Sequence, residues 1–481
     1  MEQARPIAYL ALLLVVPFAI LAVATQRLTR AVLLVTLGSL LFLPEKVEFD
    51  APLIPPMDKE SLPALCLMIG LLVAGRERIR IAKIGRGIDW VLALALLVTV
   101  GTVLTNRDAL RYGETVLPGY TNKDLFSEAV RTVLVWAIPF LLGRTLFRTA
   151  EDARDLLGGV AIGGILYAPF ILVELRMSPQ WHNWIYGFQQ HSFGQTIRDG
   201  GYRPMVFMAH GLAMALFLWA AGHAAWTLAK ARRAIFGISA RPFAVGLSVL
   251  LALVNSLGAL VYGVVSYPLS WFLRPKAQLR FAALIALVVA LYPALRATGT
   301  FPRQELVDLA ARVSQHRAQS LDFRFLNEEL LIDKALERPY FGWGSFGRNR
   351  YYDAEGYDRS VTDGGWILVL GIRGVVGFAV YFSLLLLPVW NALRRVDRVP
   401  RADQPLLAGA AVIAAIYTLD LLPNGFFNTL PVFFSGAVMG LSQGMVDAGS
   451  RRFDPELVAR WIANLRRPSV TATAARASRI R

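Results

Sequence analysis

Long apolar runs constrain this 481-residue chain more than any other feature. Residues 7–25, 31–44, 126–143 and 374–390 are almost unbroken stretches of aliphatic and aromatic side chains. A hydrocarbon core ~30 Å thick needs roughly 20 helical residues at ~1.5 Å each. Only helices and closed barrels satisfy their own backbone in lipid, and these runs are too long and too uniform for barrel strands. The sequence therefore predicts an all-α, polytopic membrane bundle of twelve or thirteen spanning helices. Hydrophobic residues make up 55% of the chain, against ~45–50% in soluble domains.

Other classes are excluded on chemistry. Cys66 is the sole cysteine, so no disulfide can form within the chain, and no Cys/His zinc pattern is present. No metal or other cofactor is expected. The formal net charge of +16 reads as basic loops retained on the cytoplasmic side of a membrane, not as a nucleic-acid surface. Arg5, an apolar run and Ala22-Val23-Ala24 resemble a cleavable leader. The segment is read as the first span instead, because no folded soluble domain follows it.

Charge sets the orientation. The basic clusters Arg76–Arg86, Lys230–Arg241, Arg274–Arg280, Arg394–Arg401 and the tail from Arg451 belong in the cytoplasm by the positive-inside rule. Spans at 89–104, 126–143, 156–175, 204–225, 243–255, 257–273, 281–298, 366–393, 405–422 and 429–446 then alternate consistently. Four sections follow: N-terminal spans (1–298), a large periplasmic loop (299–365), C-terminal spans (366–446) and a basic cytoplasmic tail (447–481). The loop is far longer than a helix connection needs. Leu306, Leu309, Ala310 and Val313 recur at helical spacing within it, and a second helix is expected over Asn327–Glu337. Pro339-Tyr340-Phe341-Gly342-Trp343-Gly344 then breaks that helix. In the tail, Leu457, Trp461, Ile462 and Leu465 mark a short amphipathic piece on the inner leaflet.

Several polar residues stand out against this background. Arg198 and Arg203 sit in an outer loop beside Asp199 and Gly200-Gly201. Arg203, at the expected mouth of a helix, has the geometry to fork onto a lipid phosphate, or it is an ordinary solvated residue. Arg324 either pairs with Glu328 four residues on or clamps a phosphate or sugar. Asp363 either caps the helix that follows or acts as a base at the membrane surface. Arg373 falls mid-membrane, where it must be paired; Asp420, Glu128 and Glu174 are the candidates. His210 is expected two turns inside a spanning helix, as an interhelical donor or a base.

Three of these segments together resemble the O-antigen ligase and O-antigen polymerase superfamily, the WaaL/Wzy-type membrane glycosyltransferases. Arg203-Pro204 with Phe207-Met208-Ala209-His210-Gly211 is similar to the family's Arg-x-x-Gly segment. Asp322-Phe323-Arg324, a helix, then Pro339-Tyr340-Phe341-Gly342-Trp343-Gly344 is similar to its Arg, helix, Pro-x-x-Gly-x-Gly run. Asp363-Gly364-Gly365-Trp366-Ile367 with Gly374 and Gly377 is similar to the run that closes its large loop. Two departures are visible. Asp363 stands where the family has histidine, and Ser256-Leu257-Gly258 replaces its Ser-Arg-Gly.

The resemblance implies inverting, metal-independent glycan transfer at the periplasmic face of a bacterial inner membrane. The donor would be an undecaprenyl-diphosphate-linked glycan and the acceptor a hydroxyl of a glycan or of lipid A-core. Arg203 and Arg324 would hold the diphosphate and Asp363 would be the base or its orienter, with His210 as the substitute. Arg198, Arg373 and Trp343 are further candidates for substrate contact. Polymerase and ligase break the same donor bond and are not separated at this level. Two rivals remain: a transporter or flippase, usually built from repeats with matched broken helices, neither of which is evident, and a non-catalytic envelope-assembly protein.

Overall fold

The computed structural model describes residues 4–50, 55–75, 85, 87–198 and 201–452. The cluster Arg76, Arg78, Arg80, Lys83 and Arg86, the residues Asp199 and Gly200, and the amphipathic piece around Leu457, Trp461, Ile462 and Leu465 lie outside them. Of the described residues 71% are helical and almost none lie in sheet, an all-α membrane-type bundle.

In chain order the helices are α1 (Pro6–Thr25), α2 (Leu28–Phe42), α3 (Leu62–Ala74), α4 (Asp89–Leu104), α5 (Asn122–Thr132) and α6 (Ile138–Leu146), the last two joined by a π-turn over Val133–Ala137. They continue as α7 (Ala150–Met177), α8 (Trp181–Tyr186), α9 (Gly211–Lys230), α10 (Ala240–Leu253), α11 (Leu257–Phe272) and α12 (Pro275–Ala297). The set closes with α13 (Arg303–Val313), α14 (Gln315–Leu336), α15 (Gly365–Arg395), α16 (Gln404–Asp420) and α17 (Leu430–Arg452). Among the described residues, six segments are long and apolar enough to cross a membrane: α1, α5–α6 taken together, α7, α9, α12 and α15. Seven shorter apolar helices accompany them.

The core lies around α9 and α16. Every residue of α16 from Leu406 to Thr418 is buried, and α16 packs among α9, α12, α15 and α17. At one end, Arg30 pairs with Asp155 (3.0 Å) and Lys276 with Asp397 (2.5 Å). At the other end, segments 105–121, 178–198, 201–210, 254–256, 299–364 and 421–429 converge; we refer to it as the loop end. There α13 and α14 are clipped together by Arg303, which bonds Asp322 (2.7 Å) and Glu329 (2.9 Å).

One spanning helix is broken, which hydropathy does not anticipate. Within α15, Gly374 has φ 68° and ψ −173°. The run 339–344 enters the gap. Val375 and Val376 donate to the carbonyls of Pro339 (2.7 Å) and Tyr340 (3.3 Å), while Trp343 and Gly344 donate to those of Gly371 (2.8 Å) and Ile372 (3.0 Å). The two backbones meet at glycines. A Cβ on Gly342 would lie 2.6 Å from the Gly374 nitrogen, and one on Gly374 would lie 2.4 Å from the Tyr340 oxygen. Two of the glycine motifs noticed in the sequence are thus the two halves of one clamp.

Candidate functional site

Arg324 sits inside α14, not ahead of a helix as its surroundings imply. Glu328, its expected partner one turn on, is engaged elsewhere. It accepts from Tyr292 (2.8 Å), Arg296 (3.1 Å) and the Trp366 indole (3.3 Å), which ties α14 to α12 and α15. Burial pushes the Glu328 carboxyl above its usual range, against the opposing bonds from Tyr292, Arg296 and Trp366. Arg324 instead reaches Asp363, with Nε 3.4 Å from Oδ2. Its Nη1 also donates to the Pro423 carbonyl at 3.4 Å. Both side chains of the pair are more than one-third exposed, at 37% and 40%. Such pairs stabilise a fold by about 0–1 kcal/mol.

Asp363 is not the cap of α15. Gly364 occupies the cap position and no side chain caps the helix. The first amides of α15 donate to carbonyls of the turn between α16 and α17: Gly365 to Asn424 (3.0 Å) and Trp366 to Leu421 (3.1 Å). That frees the Asp363 carboxylate from backbone duty while fixing where its main chain stands. Asp420, the last residue of α16 before this turn, accepts from Tyr262 (3.2 Å) and Asn424 (3.0 Å) and lies within electrostatic reach of Arg324.

The turn extends to His210. Phe426 stacks on its ring at 4.4 Å between centroids, with 9° between planes, and His191 meets it edge-on at 4.7 Å. His210 is not two turns into a helix. It is the N-cap of α9, its Nδ1 accepting from the Leu212 amide at 3.0 Å. An Nδ1 lone pair used this way leaves the neutral ring's proton on Nε2, so the ring as placed is a donor and not a base. Residues 204–210 are not helical because Glu174 intervenes: its buried carboxylate accepts from the amides of Met205 and Val206 (2.8 Å each), Gln180 (3.0 Å) and Trp181 (3.1 Å).

Arg203 is held at a neighbouring corner. Its Nη2 donates to the Asn255 carbonyl between α10 and α11 (3.2 Å), and its stem lies over Gly211, where an added Cβ would come within 2.4 Å of Cγ. Arg198 lies in a two-residue strand, Ile197–Arg198, paired with Gly201–Tyr202; its side chain is outside the described atoms. Trp343 is only 6% exposed and wedged between Lys334 (3.7 Å) and Arg338 (4.2 Å), its indole donating to the Lys334 carbonyl at 2.6 Å. That position serves the loop's own packing. Of the three partners open to Arg373, the structure selects Glu128, which also accepts from Ser345 (2.9 Å) and Tyr120 (3.4 Å).

The structure therefore joins Arg324 to Asp363 and links His210 to the same turn through Phe426, while Arg203 is tied to Asn255 and Arg373 to Glu128, neither in contact with that pair. The turn 421–429 was missed as a site element. Its signal was visible: Pro423-Asn424-Gly425 followed by Phe426-Phe427-Asn428 interrupts two apolar runs with polar and aromatic residues. Among the described residues no group of acids, histidines and cysteine is arranged to hold a metal ion. No protein-family model matches this chain, and no curated protein resembles it significantly in sequence.

Proposed function

We propose that the chain is a bacterial inner-membrane glycosyltransferase of the O-antigen ligase/polymerase type, with its loop end facing the periplasm. The single observation that supports this reading most is the half-exposed pairing of Arg324 with Asp363, at the junction of the large loop with a spanning helix. A lipid diphosphate is already a good leaving group, so the reaction needs charge neutralisation more than a strong acid. A guanidinium supplies it as charge develops on the departing oxygen. Asp363 takes the proton of the attacking acceptor hydroxyl, and the anomeric carbon inverts. Arg203 holds the diphosphate from the α10–α11 corner. The resulting product is a surface or exported polysaccharide.

Replacing Arg324 with alanine should lower product formation by roughly 10²–10³-fold, with protein level and membrane insertion unchanged. Quantifying polymer or conjugate in cells carrying Arg324→Ala at matched protein level tests it. Full activity in that variant removes the residue from the reaction.

A further inference from the structure

Near Asp363 the bundle holds a largely apolar cavity, with a few charged and hydroxyl groups on its wall, that the Arg324 pair does not use. Its volume is about 250 Å³, room for roughly eight waters at ~30 Å³ each. Glu128, Arg131, Trp136, Ser345, Arg373 and Phe427 supply its chemistry. Most of the polar groups are satisfied: Arg131 bonds Asp58 (3.0 Å) and Glu60 (3.1 Å), and Glu128 holds Arg373 and Ser345. One is not. Nη1 of Arg373 is buried with no hydrogen-bond partner. Buried donors are almost always bonded, and this one belongs to a side chain that lines the cavity.

The surroundings choose among acceptors. The two arginines are already matched by Glu128, Asp58 and Glu60, so a phosphate gains little. In the same lining, Trp136 and Phe427 stack at 4.8 Å, with Tyr381 edge-on to Trp136 at 4.3 Å. A hydroxyl can accept from an arginine and donate to a carboxylate, while the C–H face of its ring lies on an aromatic plane. A neutral sugar satisfies all three surfaces at once.

Gly365 lines the cavity and stands two residues from Asp363. Two steps of 3.80 Å put their Cα atoms at most ~7.6 Å apart. We infer that this cavity seats the acceptor sugar among Arg373, Glu128, Trp136 and Phe427, with one hydroxyl turned toward Asp363. The inference rests on the proposed transfer reaction. Donor and acceptor then flank one carboxylate. The hydroxyl oxygen bonds to the anomeric carbon as the bond from that carbon to the diphosphate oxygen breaks. The hydroxyl proton passes to Asp363, and the leaving diphosphate keeps the electron pair beside Arg324.

The test uses the full chain in lipid nanodiscs, titrated with free hexoses, a 6-deoxyhexose, an N-acetylhexosamine and a hexuronic acid while tryptophan fluorescence is followed. At least one sugar should give a saturable response that disappears in Trp136→Phe. Val369→Phe fills the cavity without removing a charge and should abolish binding, and Arg373→Lys should weaken it about tenfold. No saturable response to any sugar, or one unchanged by Val369→Phe, overturns the inference. Sugar binding without transfer from a lipid-linked donor would keep the sugar site and overturn the transfer reaction. Transfer with an acceptor KM unchanged in Val369→Phe would keep the reaction and overturn the site.

Discussion

Arg324 and Asp363 contribute little to holding the fold, because a half-exposed pair is screened by solvent and worth about 0–1 kcal/mol. The alanine variant at 324 should therefore melt like the parent, and its loss of product cannot be laid to unfolding. His182 is the opposite case. It is 1% exposed in the short helix α8, accepts the Glu45 amide at Nε2 (3.1 Å) and faces the Phe188 carbonyl through Nδ1 (2.8 Å). Burial depresses its pKa from 6.5 to about 4. The unfolded chain thus binds a proton below pH 6.5 that the folded chain refuses, so stability is full above that pH and falls as the pH drops toward 4. At ~1.4 kcal/mol per pH unit the loss is on the order of 3 kcal/mol. Melting curves between pH 7.5 and pH 4 should show it, and His182→Asn should flatten the dependence. An unchanged slope in that variant would assign the acid sensitivity to other groups.

Among elements, the positions of the apolar helices were legible because ~20-residue apolar runs have few other uses in a chain. What escaped was set by contacts remote in sequence. Met205-Val206-Phe207-Met208 continues the apolar pattern of α9, yet stays non-helical because Glu174, some thirty residues earlier, takes its amides. Of the two readings that the sequence leaves open for Arg324, the pairing with Glu328 fails because Arg296 takes that carboxylate from another helix. The glycines of 342–344 and 374 could be seen, but not that each was the space the other required. Alanine at Gly374 would suffer both a left-handed φ of 68° and a Cβ 2.4 Å from a carbonyl oxygen. Gly374→Ala should destabilise by at least about 1–3 kcal/mol and displace the 339–344 run. A lower melting temperature with new protease cleavage in that run is the expected result; parent-like stability would mean the clamp is dispensable.

At the scale of the whole molecule, the charge pattern predicts that the loop end faces away from the cytoplasm. Cys66 is the only cysteine and is buried, so Cys66→Ala gives a clean background. Tyr357→Cys, at a position 65% exposed in the large loop, should react with an impermeant maleimide in spheroplasts, whereas Asp397→Cys at the opposite end should react only after lysis. The reverse pattern would put the Arg324–Asp363 pair in the cytoplasm, away from any exported lipid-linked glycan. The most direct measurement is reconstitution: the purified chain in nanodiscs, given an undecaprenyl-diphosphate-linked glycan and an acceptor glycan, with no other protein. Formation of a new glycosidic product with stoichiometric release of undecaprenyl diphosphate is the predicted result. An intact donor, with no release and no product under conditions where the sugar cavity binds its ligand, would contradict it.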